Sequence, residues 1–258
     1  MESSPAKSPN SLKSEHLIEG VRPIMVCVGS YKDYGSYRRH SIKEAFSELL
    51  DNVHNVNYSD GAPVLRVKNF LNSKQYAYVI STIDNFNKFS EGFVDCTGLI
   101  VSGVDKITGE NISFLTHQAP IMFLGKHRES FVSNLNKTLV EMQSRCKPDT
   151  IDAVLVGGKY PQRVQKYSKT GDWRVPYFRG NYLESIELIS GEVKKVLGFE
   201  PVVVNGPKVT EGGDDVYYDN QEKRAYLIRA HLNPTSADFT QSDIQEEKEK
   251  WDSGKRSN

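Results

Sequence analysis

The chain has 258 residues, 38% of them apolar, and is therefore long enough to bury a sizeable core. Its 33 Lys and Arg residues balance its 33 Asp and Glu residues, and no basic stripe is interleaved with aromatic residues. No apolar run approaches the roughly 20 residues of a membrane span. We therefore expect neither nucleic acid nor a membrane as a partner.

The cysteines indicate a reducing compartment. Cys27, Cys96 and Cys146 are few and odd in number, and no C-x-x-C motif occurs. This pattern is typical of free thiols rather than of a disulfide framework. The N-terminus also lacks the apolar core of a secretory signal. We expect a cytoplasmic protein, or one delivered to a host cytosol if it is an effector.

Composition predicts a single domain, residues 21–235, between two tails. Residues 1–20 are rich in Ser, Pro and Lys and carry too little apolar surface to offset the entropy of ordering, so they predict a disordered tail. Residues 236–258 form a second, charged tail. Apolar runs, alternation and a capping box define the first elements of the domain. These elements are a buried strand at 24–28 with Cys27 in the core, a helix at 41–53, strands at 63–70 and 76–83, and a loop at 84–91.

The second half of the domain alternates strands with amphipathic helices. Helical spacing of apolar residues, ended by Pro148 in one case and by Gly198 in the other, predicts two helices. The predicted elements are a hairpin at 94–120, a helix at 130–146 with Cys146 in the core, a strand at 151–156, a surface loop at 159–179, a helix at 181–197, a strand at 201–205 and strands at 215–219 and 225–230.

The hairpin brings one cysteine and one histidine to the same end of a two-stranded ribbon. Cys96 lies where its first strand begins, and His117 lies where its second strand ends. The turn after Asp105 leaves the register open. A two-residue loop would put Cys96 opposite His117, and a four-residue loop closed by Gly109 would put Gly98 there, with Cys96 diagonal. A three-residue loop would send the two side chains to opposite faces.

On a shared face, Cys96 and His117 have the geometry of a thiol nucleophile and its base. Opposed Cβ atoms lie roughly 4.5–5.5 Å apart and diagonal ones roughly 7–8 Å apart. A free thiol has a pKa of about 8.5, and a neighbouring imidazolium favours the thiolate. The alternative is that both side chains only pack, because free cysteine is among the most buried residue types.

Residues 94–232 resemble the CheD family of chemoreceptor glutamine deamidases. They are more loosely similar to the catalytic domain of cytotoxic necrotizing factors and to laccase-domain peptidoglycan-editing proteins. The resemblance rests on the order of the short motifs and predicted elements along the chain. These pieces are Asp95-Cys96 opening an apolar strand, His117 closing the next, Gly157-Gly158 after a helix and a strand, the helix at 181–197, Pro201-Val202-Val203-Val204, Gly212-Gly213, and the hairpin of Val216-Tyr217-Tyr218-Asp219 with Tyr226-Leu227-Ile228.

The resemblance implies an α+β fold, a β-sandwich of mixed sheets flanked by helices in α/β/β/α layers. It also implies a cysteine-dependent amidohydrolase that deamidates a glutamine side chain of a partner protein through a thioester, without metal or cofactor. Cys96 would be the nucleophile and His117 the base. The backbone N–H groups of Cys96 and Thr97 are the candidate oxyanion donors. In such sites a hydroxyl six positions before the cysteine orients the imidazole, which here is Ser90.

Some site roles remain open at this point. Thr116, Gln118 and Asp95 compete with Ser90 for orienting the imidazole. Gln118 is also a candidate substrate-binding residue, together with Tyr160 and Trp173 of the polar, aromatic loop, because long loops often border binding sites.

Two other functions compete with the deamidase. The laccase-domain resemblance would add His54 to Cys96 and His117 as ligands of zinc in an enzyme acting on a small molecule. Alternatively, the chain is a protein-binding module without activity that uses the loops at 31–40 and 159–179 for recognition.

Overall fold

The computed structural model describes residues 16–30, 57–58, 62–66, 78–93, 96–158, 174–205 and 214–229. These residues form eleven strands and three helices. The strands are β1 (Met25–Ser30), β2 (Asn57–Tyr58), β3 (Ala62–Arg66), β4 (Tyr78–Ile80), β5 (Asn87–Phe93), β6 (Thr97–Val104), β7 (Asn111–Gln118), β8 (Asp152–Gly157), β9 (Val202–Asn205), β10 (Asp214–Asp219) and β11 (Arg224–Arg229). The helices are α1 (Pro120–Phe123), α2 (Arg128–Arg145) and α3 (Arg174–Leu197).

The strands form two mixed sheets. One sheet has the order β1-β11-β10-β5-β3-β2, with β1 parallel to β11 and β3 parallel to β5. The other has the order β4-β7-β6-β8-β9, with β8 parallel to β9. All the other pairs are antiparallel. The α+β class expected from the sequence is confirmed.

Two apolar layers cover the faces of the five-stranded sheet. Ile100 and Leu115 face the six-stranded sheet and pack with Val216 and Leu227 from it. The opposite face packs against α2 and α3 through a cluster that includes Leu99, Val101, Phe131, Leu135, Ile189 and Val193. Because β6 is buried on both faces, its large apolar residues at 99–101 are consecutive and do not alternate with polar ones. The hairpin is thus the central layer of a helix, sheet and sheet arrangement.

The loop predicted at 84–91 is wrong, because β5 occupies most of it and pairs with β10 inside the six-stranded sheet. Its polar residues are hydrogen-bonded, some to remote partners and some to nearby ones. Asn87 Nδ2 donates to Tyr217 Oη at 2.9 Å, and the buried ammonium of Lys88 donates to the carbonyl of Phe86 at 2.6 Å. A buried polar side chain is tolerated in a strand when it is hydrogen-bonded.

Within the N-terminal tail predicted at 1–20, residues 16–20 are described and His16 contacts the core. The His16 ring stacks on Phe199 with centroids 3.6 Å apart, and its Nε2 lies 2.9 Å from the carbonyl oxygen of Ile151. The strand predicted at 24–28 forms as β1, but it lies at the end of the described sheet and Val28 is 40% exposed. Cys27 is accordingly half-buried rather than a core residue.

Helix α3 begins at Arg174, so the surface loop predicted to reach Arg179 ends earlier. Pro176 lies in the first turn, where the absent N–H would have no helical partner in any case. Gly198, with φ +87°, follows the helix as predicted. The predicted helix at 41–53, most of the loop at 159–179 and the tail at 236–258 lie outside the described residues.

None of the helices in the described part of the chain is long and apolar enough to cross a membrane.

Candidate functional site

The β6–β7 turn contains four residues, one of the loop lengths that the sequence allowed. The N–H of Asp105 donates to the carbonyl of Glu110 at 2.8 Å, so these two residues close the ladder. Gly109 has φ +76°, and its N–H donates to the carbonyl of Asp105 at 2.9 Å. A left-handed residue at this position favours glycine, which explains why the loop selects this register.

This register puts Cys96 and His117 on one face of the hairpin. Thr97 pairs with Gln118. Gly98 is therefore the residue opposite His117, and Cys96 is its diagonal neighbour on the same side. That side faces the six-stranded sheet, since Cys96 belongs to the apolar cluster between the two sheets.

A serine from the second sheet holds the imidazole. Ser90 Oγ of β5 lies 2.9 Å from His117 Nδ1, and both side chains are buried. The Phe93 ring, from the same strand, stacks on the imidazole with centroids 4.0 Å apart and an interplanar angle of 20°. These two contacts fix both the rotation and the tilt of the His117 ring.

Burial decides the charge of the imidazole. Desolvation lowers the pKa of His117 from 6.5 to about 3. The ring is therefore neutral at pH 7 and is available as a proton acceptor. Because burial is the cause, admitting water to the ring would raise this pKa towards its ordinary value.

Two glycines at the C-terminal end of β8, Gly157 in the strand and Gly158 directly after it, hold the backbone of the cysteine. The N–H of Gly158 donates to the carbonyl oxygen of Cys96 at 2.7 Å. Gly157 and Gly158 both have φ +78°, where other residues are strained. A Cβ on Gly157 would also lie 2.8 Å from the Cys96 carbonyl oxygen. The glycine pair therefore allows β8 to approach the residue that carries the sulfur.

Both members of the pair are closed to solvent. Cys96 is 2% exposed and His117 is 0% exposed. An amide therefore reaches the sulfur only after residues that cover it move. Small-molecule and protein substrates face the same barrier, and its opening is part of any reaction at this site.

Gln118 is not brought to this site. It follows His117 in β7, so its side chain leaves the opposite face. It is fully buried there, and its Nε2 donates to Thr97 Oγ1 at 3.0 Å. The structure therefore places the Gln118 side chain on the face opposite Cys96 and His117. Tyr160 and Trp173, the other two candidates, lie outside the described residues.

The Thr97 N–H points across the ladder to β7. The N–H of Leu99 points across to β7, where it donates to Thr116 Oγ1 at 2.8 Å. Thr97 lies two residues earlier in the same strand, so its N–H points to β7 as well. The assignment of the Cys96 and Thr97 N–H groups as oxyanion donors stays a prediction. Thr116 is itself engaged by Leu99 and is not the group that contacts the imidazole.

Sequence reasoning missed Phe93 and Gly98. A Cβ on Gly98 would lie 2.6 Å from Cε1 of Phe93, so the ring fills the space opposite His117. A glycine in the interior of an apolar strand is a signal of close approach, and it marks this position in the sequence. Nothing in the local pattern indicates which ring approaches it.

The zinc alternative depends on a residue that the structure does not describe. Within the described ranges, no three His, Cys, Asp or Glu side chains are grouped so that they could hold a metal ion. His54, the third ligand of that alternative, lies outside these ranges.

Comparisons with models of protein families, with curated proteins and with solved structures found no match to this chain. The functional argument therefore rests on the chemistry of Ser90, Cys96 and His117.

Proposed function

We propose that this protein is a Cys–His hydrolase that deamidates a glutamine side chain of a partner protein, on a CheD-like sandwich with α/β/β/α layers. The observation that carries the proposal is the 2.9 Å contact between Ser90 Oγ and His117 Nδ1, which joins the two sheets behind the imidazole. An imidazole held at Nδ1 presents Nε2 for proton transfer. Cys96 lies diagonally across the hairpin on the same face.

In the proposed mechanism, His117 Nδ1–H donates to Ser90 Oγ, and Nε2 accepts the proton of the Cys96 thiol. The thiolate attacks the carboxamide carbon, and the resulting oxyanion accepts a hydrogen bond from the Cys96 N–H. The imidazolium returns its proton to the departing nitrogen, which leaves as ammonia. Water, deprotonated by the same imidazole, then hydrolyses the thioester and restores the thiol.

The low pKa of His117 fits a closed resting state. An imidazole with a pKa of about 3 is a weak base, and general base catalysis is most efficient when the pKa is near the working pH. Opening of the site to substrate and water relieves the desolvation that lowers this pKa. The dyad thus becomes a stronger base when a substrate is present, and it remains uncharged when the site is closed.

We place this activity in the cytoplasm of the producing cell, or in a host cytosol if the protein is delivered there. The free thiols support this location, because Cys96 must remain reduced to act as a nucleophile. The expected partner is a protein that presents a glutamine on an accessible segment.

The test is ammonia release from candidate partner proteins, with mass spectrometry to locate glutamate at a former glutamine. We expect activity with the natural chain and none with Cys96→Ser or His117→Gln, each compared at equal folded fraction by circular dichroism. Activity that survives Cys96→Ser would overturn the assignment. Trapping of a covalent acyl-enzyme on Cys96 would support the thioester step.

A further inference from the structure

A second polar layer lies behind the nucleophile, on the helix side of the five-stranded sheet. Thr97 Oγ1 is 3.0 Å from Ser185 Oγ of α3 and accepts a hydrogen bond from Gln118 Nε2 at 3.0 Å. All three side chains are fully buried. Thr97 directly follows Cys96, so these hydrogen bonds hold the residue next to the one that carries the sulfur.

The same face of α3 packs against Gly158, which is hydrogen-bonded to the backbone of the cysteine. Tyr182 is 2% exposed, and a Cβ on Gly158 would overlap its ring. Gly158 in turn donates its N–H to the Cys96 carbonyl at 2.7 Å. Tyr182 and Ser185 are three residues apart in the helix, so both project from one face. Helix α3 therefore supports the cysteine at its carbonyl and at the residue that follows it.

We propose that Thr97 and Ser185 are positioning residues that fix the direction of the Cys96 side chain relative to His117, an inference that rests on the function proposed above. Loss of either hydroxyl leaves buried polar partners unsatisfied, and the β6 backbone shifts to relieve this. A shift at Thr97 rotates the adjoining residue. Displacements of this size misalign a proton donor and its acceptor even when the fold persists.

The experiment follows alkylation of Cys96 by iodoacetamide as a function of pH, resolved by peptide mass spectrometry. An unassisted thiol loses reactivity about tenfold for each pH unit below its pKa. Because His117 accepts the thiol proton, the alkylation rate of Cys96 in the natural chain should fall much less steeply between about pH 8 and about pH 6. Iodoacetamide reaches Cys96 only when the site opens, so each variant is judged by the ratio of its rates at about pH 6 and about pH 8. Thr97→Val and Ser185→Ala should lower this ratio by at least about tenfold.

Matched variants separate positioning from stability. Ser185→Thr keeps the hydroxyl, and its alkylation rate should depend on pH as that of the natural chain does. Ser102→Ala removes an equally buried hydroxyl from the same strand, away from this layer, and should also keep it. If Thr97→Val and Ser185→Ala lower the urea midpoint but retain the natural profile, their role is structural and the inference is wrong.

His117→Gln in the same assay makes the two possible failures distinguishable. A steepened profile with His117→Gln and a natural profile with Thr97→Val would overturn the positioning role alone. An unchanged profile with His117→Gln would mean that no base assists Cys96. The proposed function and this inference would then fall together.

Discussion

The Phe93 ring leaves no room for a residue larger than Gly98 at the position opposite His117. A Cβ on Gly98 would lie 2.6 Å from Cε1 of the Phe93 ring and 2.7 Å from the carbonyl oxygen of Thr116. The ring can stack on the imidazole only because position 98 carries no side chain. The packing between the sheets at this end therefore requires glycine at position 98.

Gly98→Ala should destabilise the protein by about 1–3 kcal/mol, because the added methyl overpacks a site bounded by backbone and by a buried ring. We also expect Phe93 to be displaced from the His117 ring. Urea unfolding followed by circular dichroism measures the first effect, and aromatic NMR shifts of His117 measure the second.

Gly191→Ala is the matched control for this substitution. Gly191 lies inside α3, and a Cβ there would have no heavy atom within 4 Å. Replacing a helical glycine by alanine should raise the free energy of unfolding by about 0.5–1 kcal/mol. Equal effects of the two substitutions would contradict the packing described for position 98.

The stability of the protein should fall as the pH decreases from about 6.5 towards 3. Burial holds the pKa of His117 at about 3, whereas the unfolded chain takes up the proton near 6.5. The unfolded state therefore binds more protons in this window, and its free energy falls relative to the folded state. From this group alone we expect a loss of about 2 kcal/mol at pH 5 relative to pH 7.

Urea unfolding at both pH values tests this expectation, and His117→Gln should remove that part of the difference. Ring nitrogen NMR shifts provide an independent measurement, because the His117 ring should remain neutral at pH 5. A His117 ring that titrates near 6.5 in the folded protein would show that it is solvated.

Ser90→Ala should lower kcat for ammonia release by about tenfold to a hundredfold with little change in KM, since the hydroxyl orients the imidazole and does not bind the substrate. The exchange also leaves Nδ1 of His117 without this partner, which we expect to destabilise the fold by about 1–3 kcal/mol. Ser113→Ala is the control, because Ser113 is an equally buried serine on the strand that carries His117. Full activity of Ser90→Ala would remove Ser90 from the site.

His16→Ala should destabilise the protein by about 1–2 kcal/mol, although the composition of the segment around it predicts disorder. The substitution removes the stack on Phe199 and the contact with the Ile151 carbonyl. His127, the N-cap residue of α2, makes no side-chain capping hydrogen bond and is the comparison. His127→Ala should change the unfolding free energy by less than about 0.5 kcal/mol, and a similar loss for both would indicate a nonspecific effect.

The hairpin was predictable because its signals are local. Apolar runs define β6 and β7, and Gly109 provides the left-handed residue that a four-residue loop requires. The loop length then decides which side chains share a face, so the common face of Cys96 and His117 follows from a turn roughly ten residues away from each. Burial of the pair did not follow, because it depends on the second sheet.

Strand β5 was not predictable, because the contacts that stabilise it are not visible in the local sequence. Asn87, Lys88 and Ser90 are polar, and a sequence window cannot reveal that each is hydrogen-bonded in the folded chain. For two of them the partner is remote, since Tyr217 lies 130 residues from Asn87 and His117 lies 27 residues from Ser90. Tertiary contacts here override local propensity.

The contact between Ser90 and His117 has a consequence for biosynthesis. The serine enters from one sheet and the imidazole from the other, so a nascent chain that has made its hairpin but has not yet docked the two sheets holds a sulfur with no oriented base. On the function proposed above, such a chain would be inactive towards amides, and reactivity would arise only when the two sheets have docked.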